Sequence, residues 1–443
     1  MMSSNNINYN KWFKTALNQG FQALEILTNE NTSMSIALED GKIHEHVKSD
    51  MCVFTIKGLY QNKKSSMYLE KIDETKMIET LQLLKNQISC LNFKEKDFIF
   101  EGSSVYPDVV NSNFNFTTID IQKKYDLLFR LEKELSKSLW LNKIEHMSYS
   151  ESFIKHKIVN SKGLNLEEES SSLTFYVYCV FKKNKEIQDI SESFTVKNFD
   201  QINISKYAQK IIFLGEKKLT TQSLTSQVYP TVLSNKIFAK FLNSFSNIFS
   251  GIYAYRNLTK LKDKKGQQIA SSKVTLIDEP LCDTAFFKYK FDEEGVPCST
   301  KKIIDKGIFK QFIHNLKTSF IFNTKPTGNS FYNSIAMTNC YLKEGQKSFE
   351  DMILPIQTGV YIDYLIGLHA GINDVSGDFS VQASGFKIEQ GKITTPVKML
   401  VISGNFFDIL LNLKDIANDL LFQTSGFGSP SVYVGDLTVA GAN

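Results

Sequence analysis

The sequence lacks the long apolar runs, the signal-peptide pattern and the charge excess of membrane or nucleic-acid-binding proteins. Apolar stretches such as 174–181 and 406–413 fall well short of the roughly 18 residues that a spanning helix needs. The first twelve residues have neither a basic start nor an apolar segment, which favours a cytoplasmic protein. The 51 Lys and Arg residues nearly balance the 47 Asp and Glu residues, so no nucleic-acid or membrane partner is expected.

Several motifs of common chemistries are also missing. The six cysteines include no C-x-x-C pair, which argues against a zinc ribbon and a disulfide scaffold and favours reduced core cysteines such as Cys52 and Cys179. There is no G-x-S-x-G elbow, P-loop or G-x-G-x-x-G segment. The sequence therefore argues against nucleotide binding and against serine-hydrolase chemistry.

What the chain does have is the length and composition of a multidomain globular protein. Its 443 residues predict two or three domains, and 42% hydrophobic residues are enough for full cores. A polar stretch before Tyr229-Pro230 indicates the main boundary. We predict an N-terminal α+β domain over 1–228, with a possible further boundary at 91–116, and a C-terminal domain over 229–443.

The N-terminal half predicts helices alternating with antiparallel strands. An amphipathic pattern predicts a helix over 8–29, and Asp40-Gly41 between alternating residues predicts a hairpin. A second hairpin is predicted in 51–70. Further elements follow: a helix capped by Asp73, a helix capped by Thr118 with an apolar stripe reaching Leu139, strands within 147–198, and a helix over 203–218.

The C-terminal half has a different pattern. We predict helices over 234–250 and 405–421 and a short helix capped by Ser348. The remainder reads as short strands separated by Gly and Asn, which predicts an antiparallel sheet or barrel-like domain. The predicted fold class is α+β: helices and antiparallel strands in the N-terminal domain, and mostly antiparallel strands with two helices in the C-terminal domain.

Three groups of residues have the composition of a site, but each also has a simpler interpretation. His44 and His46 share one face of a strand without a third ligand beside them, so we favour solvated residues. The acidic run 292–294 before Gly295 could bind a cation, and we favour a solvated turn. His369 between glycines could face a ligand, and we favour a hydrogen-bonded structural residue.

The C-terminal half resembles the TldD/PmbA family in a series of segments that occur in the same order. The match spans about 200 residues, and an Asn-Ser-Lys-Gly segment at 160–163 agrees more weakly in the N-terminal half. The segments are Tyr-Ala-Tyr-Arg at 253–256, Phe-Asp-Glu-Glu-Gly-Val-Pro at 291–297, Pro-Thr-Gly-Asn at 326–329, Met-Thr-Asn-Cys-Tyr-Leu at 337–342, Gly-Asp-Phe-Ser at 377–380, Ala-Ser-Gly-Phe at 383–386, Pro-Val-Lys at 396–398 and Gly-Ser-Pro-Ser at 428–431.

The resemblance implies a family of cytoplasmic metallopeptidases that work as two-subunit assemblies on unfolded or small peptides. Its zinc-bearing branch carries H-E-x-x-x-H on the helix predicted here over 234–250 and a cysteine near the C-terminus. In this chain the ligand positions hold Leu242, Asn243 and Asn247, and 423–428 contains no cysteine. The chain therefore resembles the PmbA branch, also called TldE, with no cofactor in this chain and zinc only in a TldD-type partner.

This resemblance implies a non-catalytic partner subunit that forms part of a substrate chamber, and whether the chain is an enzyme by itself stays open. The partner would be a TldD-type catalytic subunit or a second copy, with peptides as substrates. The alternative is a stand-alone homodimeric peptide-binding protein. Residues expected in the chamber or at the subunit interface are Asp292, Gly295, Gly328, Asn329, His369, Gly371, Asp378, Ser384 and Gly428.

Overall fold

The computed structural model describes residues 7–109, 111–219 and 221–441, and the chain divides into two units. The first unit comprises the residues up to Leu219 together with Glu293–Val296, and the second comprises the remainder. Both units mix helices with sheets, so the α+β prediction is confirmed. None of the described helices is long and apolar enough to span a membrane.

The first unit is built on one six-stranded antiparallel sheet in the order β3-β2-β1-β4-β5-β6. Four helices pack on one face of it, where alternate strand residues such as Ile36, Tyr149 and Phe175 are buried. The elements are α1 Tyr9–Asn18, β1 Ala23–Glu39, β2 Lys42–Tyr60, β3 Lys63–Leu69, α2 Met77–Ser89, α3 Ile121–Leu135, β4 Leu141–Asn160, β5 Asn165–Lys183, β6 Glu186–Val196 and α4 Ile204–Lys217.

Several predicted elements of this unit are confirmed. The Asp40-Gly41 hairpin joins β1 to β2, with Glu39 opposite Lys42. The second hairpin joins β2 to β3. Asp73 caps the short 3₁₀ turn that leads into α2.

Two predicted helices of the first unit have the wrong limits. The helix predicted over 8–29 ends at Asn18, because Gly20 adopts a left-handed φ of 87° and the following segment pairs with two strands as β1. The helix predicted from Thr118 begins at Ile121, since Asp120 provides the cap. Leu139 lies beyond the end of that helix and is 91% exposed.

The second unit contains a small closed barrel and a second sheet. The strands at 392–405, 378–389, 358–366, 227–233 and 432–440 pair in series in that order, and the last pairs back with the first, which closes the ring. The elements of this unit up to β14 are β7 Gln227–Leu233, α5 Asn235–Phe245, α6 Gly251–Tyr255, β8 Leu276–Asp278, β9 Lys301–Asp305, β10 Ile308–Phe309, α7 Leu316–Ile321, β11 Ser330–Phe331, β12 Ser334–Ile335, β13 Cys340–Leu342, α8 Phe349–Ile353 and β14 Thr358–Ile366.

The remaining elements complete the barrel and the second sheet, whose order is β10-β9-β8-β13-β19-β18. They are β15 Asp378–Glu389, β16 Lys392–Asn405, α9 Phe406–Asn412, β17 Asp415–Ile416, β18 Leu421–Phe422, β19 Phe427–Ser429 and β20 Val432–Ala440. The helix predicted over 405–421 is therefore too long. It ends at Asn412 because Asp415–Ile416 pair with β20, and this tertiary pairing replaces the local helical pattern.

Candidate functional site

Helix α5 is the element to which the family resemblance assigns the metal-binding motif of the zinc-bearing branch. Ser234 begins it by accepting a hydrogen bond from the backbone of Ile237 at 3.3 Å. Its phenylalanines contact the surrounding core, since Phe241 lies 4.9 Å from the Phe379 ring and Phe245 stacks on Phe406 at 4.5 Å. The helix is held in place by apolar packing that needs no metal.

The three positions expected to replace the metal ligands have different surroundings. Leu242 is 3% exposed and belongs to the core of this unit, whereas Asn243 faces solvent. Asn247 lies in the 3₁₀ turn after α5, with its amide nitrogen 3.5 Å from a carboxylate oxygen of Asp374. Tyr253 donates to that same oxygen at 2.8 Å.

These residues do not fit a zinc ion. An aliphatic side chain and two neutral amides replace imidazole and carboxylate, and amides are poor zinc ligands. The neighbouring Tyr253 is no substitute, because burial and the Asp374 carboxylate raise its pKa and keep the phenol protonated. No group of three or more His, Cys, Asp or Glu side chains able to hold a metal occurs in residues 7–109, 111–219 and 221–441.

The hairpin of β18 and β19 packs against α5. The sequence prediction placed the missing cysteine position of the family in this hairpin. Its tip is closed by a hydrogen bond from the backbone of Gly426 to the carbonyl of Gln423, and it exposes Thr424 and Ser425. The fold thus brings the two segments together, but the second one offers only hydroxyl groups.

The loop 367–378 contributes Asp374 to this group and carries three of the predicted residues. His369 is exposed, and Asp378 accepts hydrogen bonds from Ser376 and Asn405, both at 2.7 Å, which lower its carboxyl pKa. Gly371 has a structural role, because a Cβ there would lie 2.4 Å from the carbonyl oxygen of Ser380. The favoured interpretation of His369 as a hydrogen-bonded structural residue stays a prediction.

A second group of polar residues is completely buried beside β8 and β13. Asp278 is 0% exposed and accepts hydrogen bonds from Lys301 at 3.0 Å, from the Asn329 amide at 2.9 Å, and from the backbone and hydroxyl of Thr338 at 2.8 and 2.7 Å. Asn329 also accepts from Lys301 at 3.0 Å and donates to the carbonyl of Ala336. The site prediction included Asn329 but missed its two charged partners.

The local sequence pattern did not single out Asp278 or Lys301, because each is a charged residue at one end of a short strand. Their proximity arises from the pairing of β8 with β9 and with β13. This group joins two of the segments that carry the family resemblance, 326–329 and 337–342. Since all its members are buried and paired, it maintains the geometry of the second sheet rather than facing a substrate.

The acidic run before Gly295 is not the solvated turn that we favoured. Asp292 is 1% exposed and accepts a hydrogen bond from the backbone of Ser330 at 2.9 Å, within the second unit. In the first unit Glu294 is buried and pairs with Lys64 at 2.9 Å, and the carbonyl of Gly295 accepts from the Tyr106 hydroxyl at 2.8 Å. Asp292 and Glu294 can be buried because each carboxylate has a partner within its unit, while Glu293 between them is half-buried.

The remaining predicted residues are structural in their immediate contacts. Gly328 has a φ of 69°, and a Cβ there would lie 2.6 Å from the carbonyl oxygen of Pro297. Gly428 lies buried in β19 against the ring of Phe422. Ser384 is half-buried in β15 opposite Tyr364, beside a register shift. His44 and His46 are exposed as predicted, and His46 lies 3.0 Å from the Tyr125 hydroxyl.

Two family models match this chain. The PmbA/TldA metallopeptidase C-terminal domain matches residues 226–441, and the PmbA/TldA metallopeptidase central domain matches residues 114–219. The chain belongs to the PmbA/TldD family. The family resemblance inferred from the ordered segments is thereby confirmed.

Relatives within the PmbA/TldD family support this assignment over most of the chain. A metalloprotease of Methanocaldococcus jannaschii is 25% identical over 429 residues, covering 93% of this chain and 94% of the relative. The metalloprotease PmbA of Escherichia coli O157:H7 is 27% identical over 224 residues, covering 51% of this chain and 48% of the relative.

Solved structures of similar fold cover nearly the whole length. A putative modulator of a DNA gyrase from Thermotoga maritima superimposes with a TM-score of 0.90 at 26% identity, covering 97% of this chain and 99% of that one. TldE from Thermococcus kodakarensis gives a TM-score of 0.85 at 19% identity, with the same coverage. The second likeness shows the shared fold.

Proposed function

We propose that this chain is the non-metallated partner subunit of a TldD/TldE-type zinc metallopeptidase that acts on unfolded or small peptides. The observation that supports the proposal is the composition of α5 and of the turn that follows it. The helix keeps its buried apolar side chains, while the positions of the zinc ligands and of the general base hold Leu242, Asn243 and Asn247. A helix that keeps its core packing but lacks the metal-binding side chains can still serve the packing of the chain and its assembly with a partner.

A TldD-type partner is supported by the likeness to a solved TldE and by relatives named as metalloproteases. In this proposal the partner supplies the zinc and the peptide-cleaving chemistry. This chain contributes one wall of the chamber and stabilises the partner's site. The isolated chain then has no peptidase activity.

The association surface is proposed to include the segments 326–331, 367–378 and 426–431. The loop 367–378 supports this best, because His369 and Ala370 are exposed on it. Bulky substitution of Gly371 would not test an interface, since the close carbonyl of Ser380 makes any side chain there disruptive to the fold itself. Ala370→Trp tests the same surface without that conflict.

The decisive experiment is affinity purification of the tagged chain from its native cells, followed by mass spectrometry. We expect a co-purifying homologue with H-E-x-x-x-H, and chelator-sensitive peptide cleavage by the pair only. Ala370→Trp should abolish co-purification, while Lys185→Trp, on an exposed turn of the first unit, should not. Chelator-sensitive cleavage by the pure single chain would contradict the proposal.

The same preparation distinguishes the alternative function from the partner-subunit proposal. A stand-alone peptide-binding homodimer would elute as a dimer without any metal-bearing homologue and would bind unfolded peptides by itself. That outcome would replace the partner-subunit proposal with the alternative.

A further inference from the structure

The first unit contains a cavity that the proposed function does not use. It measures about 490 Å³ and lies between strands β1, β2 and β4 and the segment 117–124, which leads into α3. Small-molecule sites typically occupy about 300–1,000 Å³. The cavity is therefore large enough for a ligand of several heavy atoms.

A buried ion pair forms part of the cavity wall. The side chains of Lys124 and Glu151 are 1% and 3% exposed, and the ammonium lies 2.8 Å from the carboxylate. Tyr149 donates a second hydrogen bond to Glu151. Burying both charges costs about as much desolvation energy as their attraction returns, so stability alone gives no reason for the pair.

The ammonium of Lys124 keeps donor capacity toward the cavity. A lysine ammonium has three N–H donors. Within the described part of the chain, the ammonium of Lys124 hydrogen-bonds to Glu151 alone and lies 5.8 Å from the centroid of the Tyr149 ring. A buried donor without an acceptor is unfavourable, and an acceptor oxygen of a ligand in the cavity would satisfy it.

The rest of the lining adds one charge of each sign, three apolar side chains, and the polar residues Thr32, Ser33, His46, Thr117 and Thr118. Lys48 on β2 is exposed and has no partner among the described residues. Asp120 caps α3 by accepting from the backbone of Gln122 at 2.8 Å. The side chains of Met34, Ile119 and Ile121 also line the cavity.

We propose that this cavity binds a small zwitterion with an apolar body, the chemical class of an apolar dipeptide. Its carboxylate pairs with Lys48 and Lys124, and its ammonium pairs with Glu151 and Asp120. Two charges of each sign in one cavity complement such a ligand better than an anion or a cation alone. The proposal rests on this cavity in the first unit, and it would hold or fail whether or not the chain pairs with a metal-bearing subunit.

Isothermal titration of the full chain with leucyl-leucine tests the charge requirement. The comparison ligands are N-acetyl-leucyl-leucine, which lacks the ammonium, and N-acetyl-leucyl-leucine amide, which lacks both charges. We expect saturable binding of the dipeptide and at least a tenfold weaker affinity, about one decade in Kd, for the uncharged ligand. Absence of binding up to about 10 mM, or equal affinity for all three ligands, would overturn the proposal.

Variants then locate the site. Lys48→Ala should weaken dipeptide binding about fivefold, because an exposed ion pair contributes modestly. Lys14→Ala, which changes an exposed lysine on α1 outside the cavity, should leave dipeptide binding unchanged. The double variant Lys124→Met with Glu151→Met replaces both buried charges by apolar residues so that neither is left unpaired, and it should abolish binding in a chain with native circular dichroism. Equal affinities for the Lys48 and Lys14 variants would place the ligand elsewhere.

Discussion

Replacing Asp278 by asparagine keeps the size of the side chain and removes the charge that pairs with Lys301. The carboxylate is completely buried and accepts four hydrogen bonds from three residues. Asparagine keeps one acceptor oxygen but has no charge, so the Lys301 ammonium, whose side chain is 5% exposed, loses its counter-charge. The amide nitrogen of the asparagine also has to face either the Lys301 and Asn329 donors or the two Thr338 donors. Breaking a buried pair in this way costs about 3–5 kcal/mol.

That cost is a large part of the about 5–15 kcal/mol by which most proteins are stable. Asp415→Asn is the matched control, because this carboxylate pairs with Lys273 at 3.3 Å and Lys347 at 2.7 Å near the surface. Such exposed pairs contribute about 0–1 kcal/mol each. Asp278→Asn should therefore destabilise the second unit several times more than Asp415→Asn does.

Urea titration followed by circular dichroism measures the difference, and tryptophan fluorescence adds a probe of one unit. Trp12 and Trp140 are the two tryptophans of the chain, and both lie in the first unit. A further variant combining Asp278→Leu with Lys301→Met should recover part of the loss, since no charge stays unpaired. If Asp278→Asn and Asp415→Asn lose similar free energies of unfolding, the buried group does not stabilise the second sheet and the reasoning is wrong.

Three other expectations follow from the site and its surroundings. The purified chain should retain no stoichiometric zinc after dialysis, and elemental analysis finding one zinc per chain would contradict the assignment of the ligand positions. The triple variant Leu242→His, Asn243→Glu and Asn247→His should give no efficient peptidase, because a third ligand is missing, and should lose about 1–3 kcal/mol from the polar group buried at Leu242; activity comparable to that of a zinc-bearing family member would refute this. Burial, aided by the charge of Lys265, lowers the pKa of His314 to about 4. As the pH falls, the unfolded chain, with a histidine pKa of about 6.5, binds a proton at this residue before the folded chain does. The free energy of unfolding therefore keeps its full value above about pH 6.5 and falls by about 2 kcal/mol by pH 5. His314→Gln should remove this loss of stability at low pH, whereas the substitution His369→Gln at an exposed position should not. If the free energy of unfolding depends on pH in the same way in both variants, the reasoning is refuted.

The sequence by itself determined the elements that local chemistry specifies. Asp40 and Gly41 both adopt the positive φ angles that a tight hairpin turn needs. The structure contains the predicted hairpin, in which β1 pairs with β2 on either side of this turn. Asp73 and Ser348 cap helical segments as the sequence predicted. The ordered segments of the C-terminal half were enough to recognise the family, because they are short, specific and independent of any three-dimensional information.

Tertiary structure alone decided the features that depend on residues far apart in the chain. Residues 23–28 and 415–416 leave their predicted helices because distant strands pair with them. Asp278 reaches Lys301 only through strand pairing, and Glu294 is buried because Lys64 lies beside it. The preference of a local segment amounts to a few tenths of a kcal/mol per residue, whereas burial and pairing contribute several, so long-range contacts prevail where the two disagree.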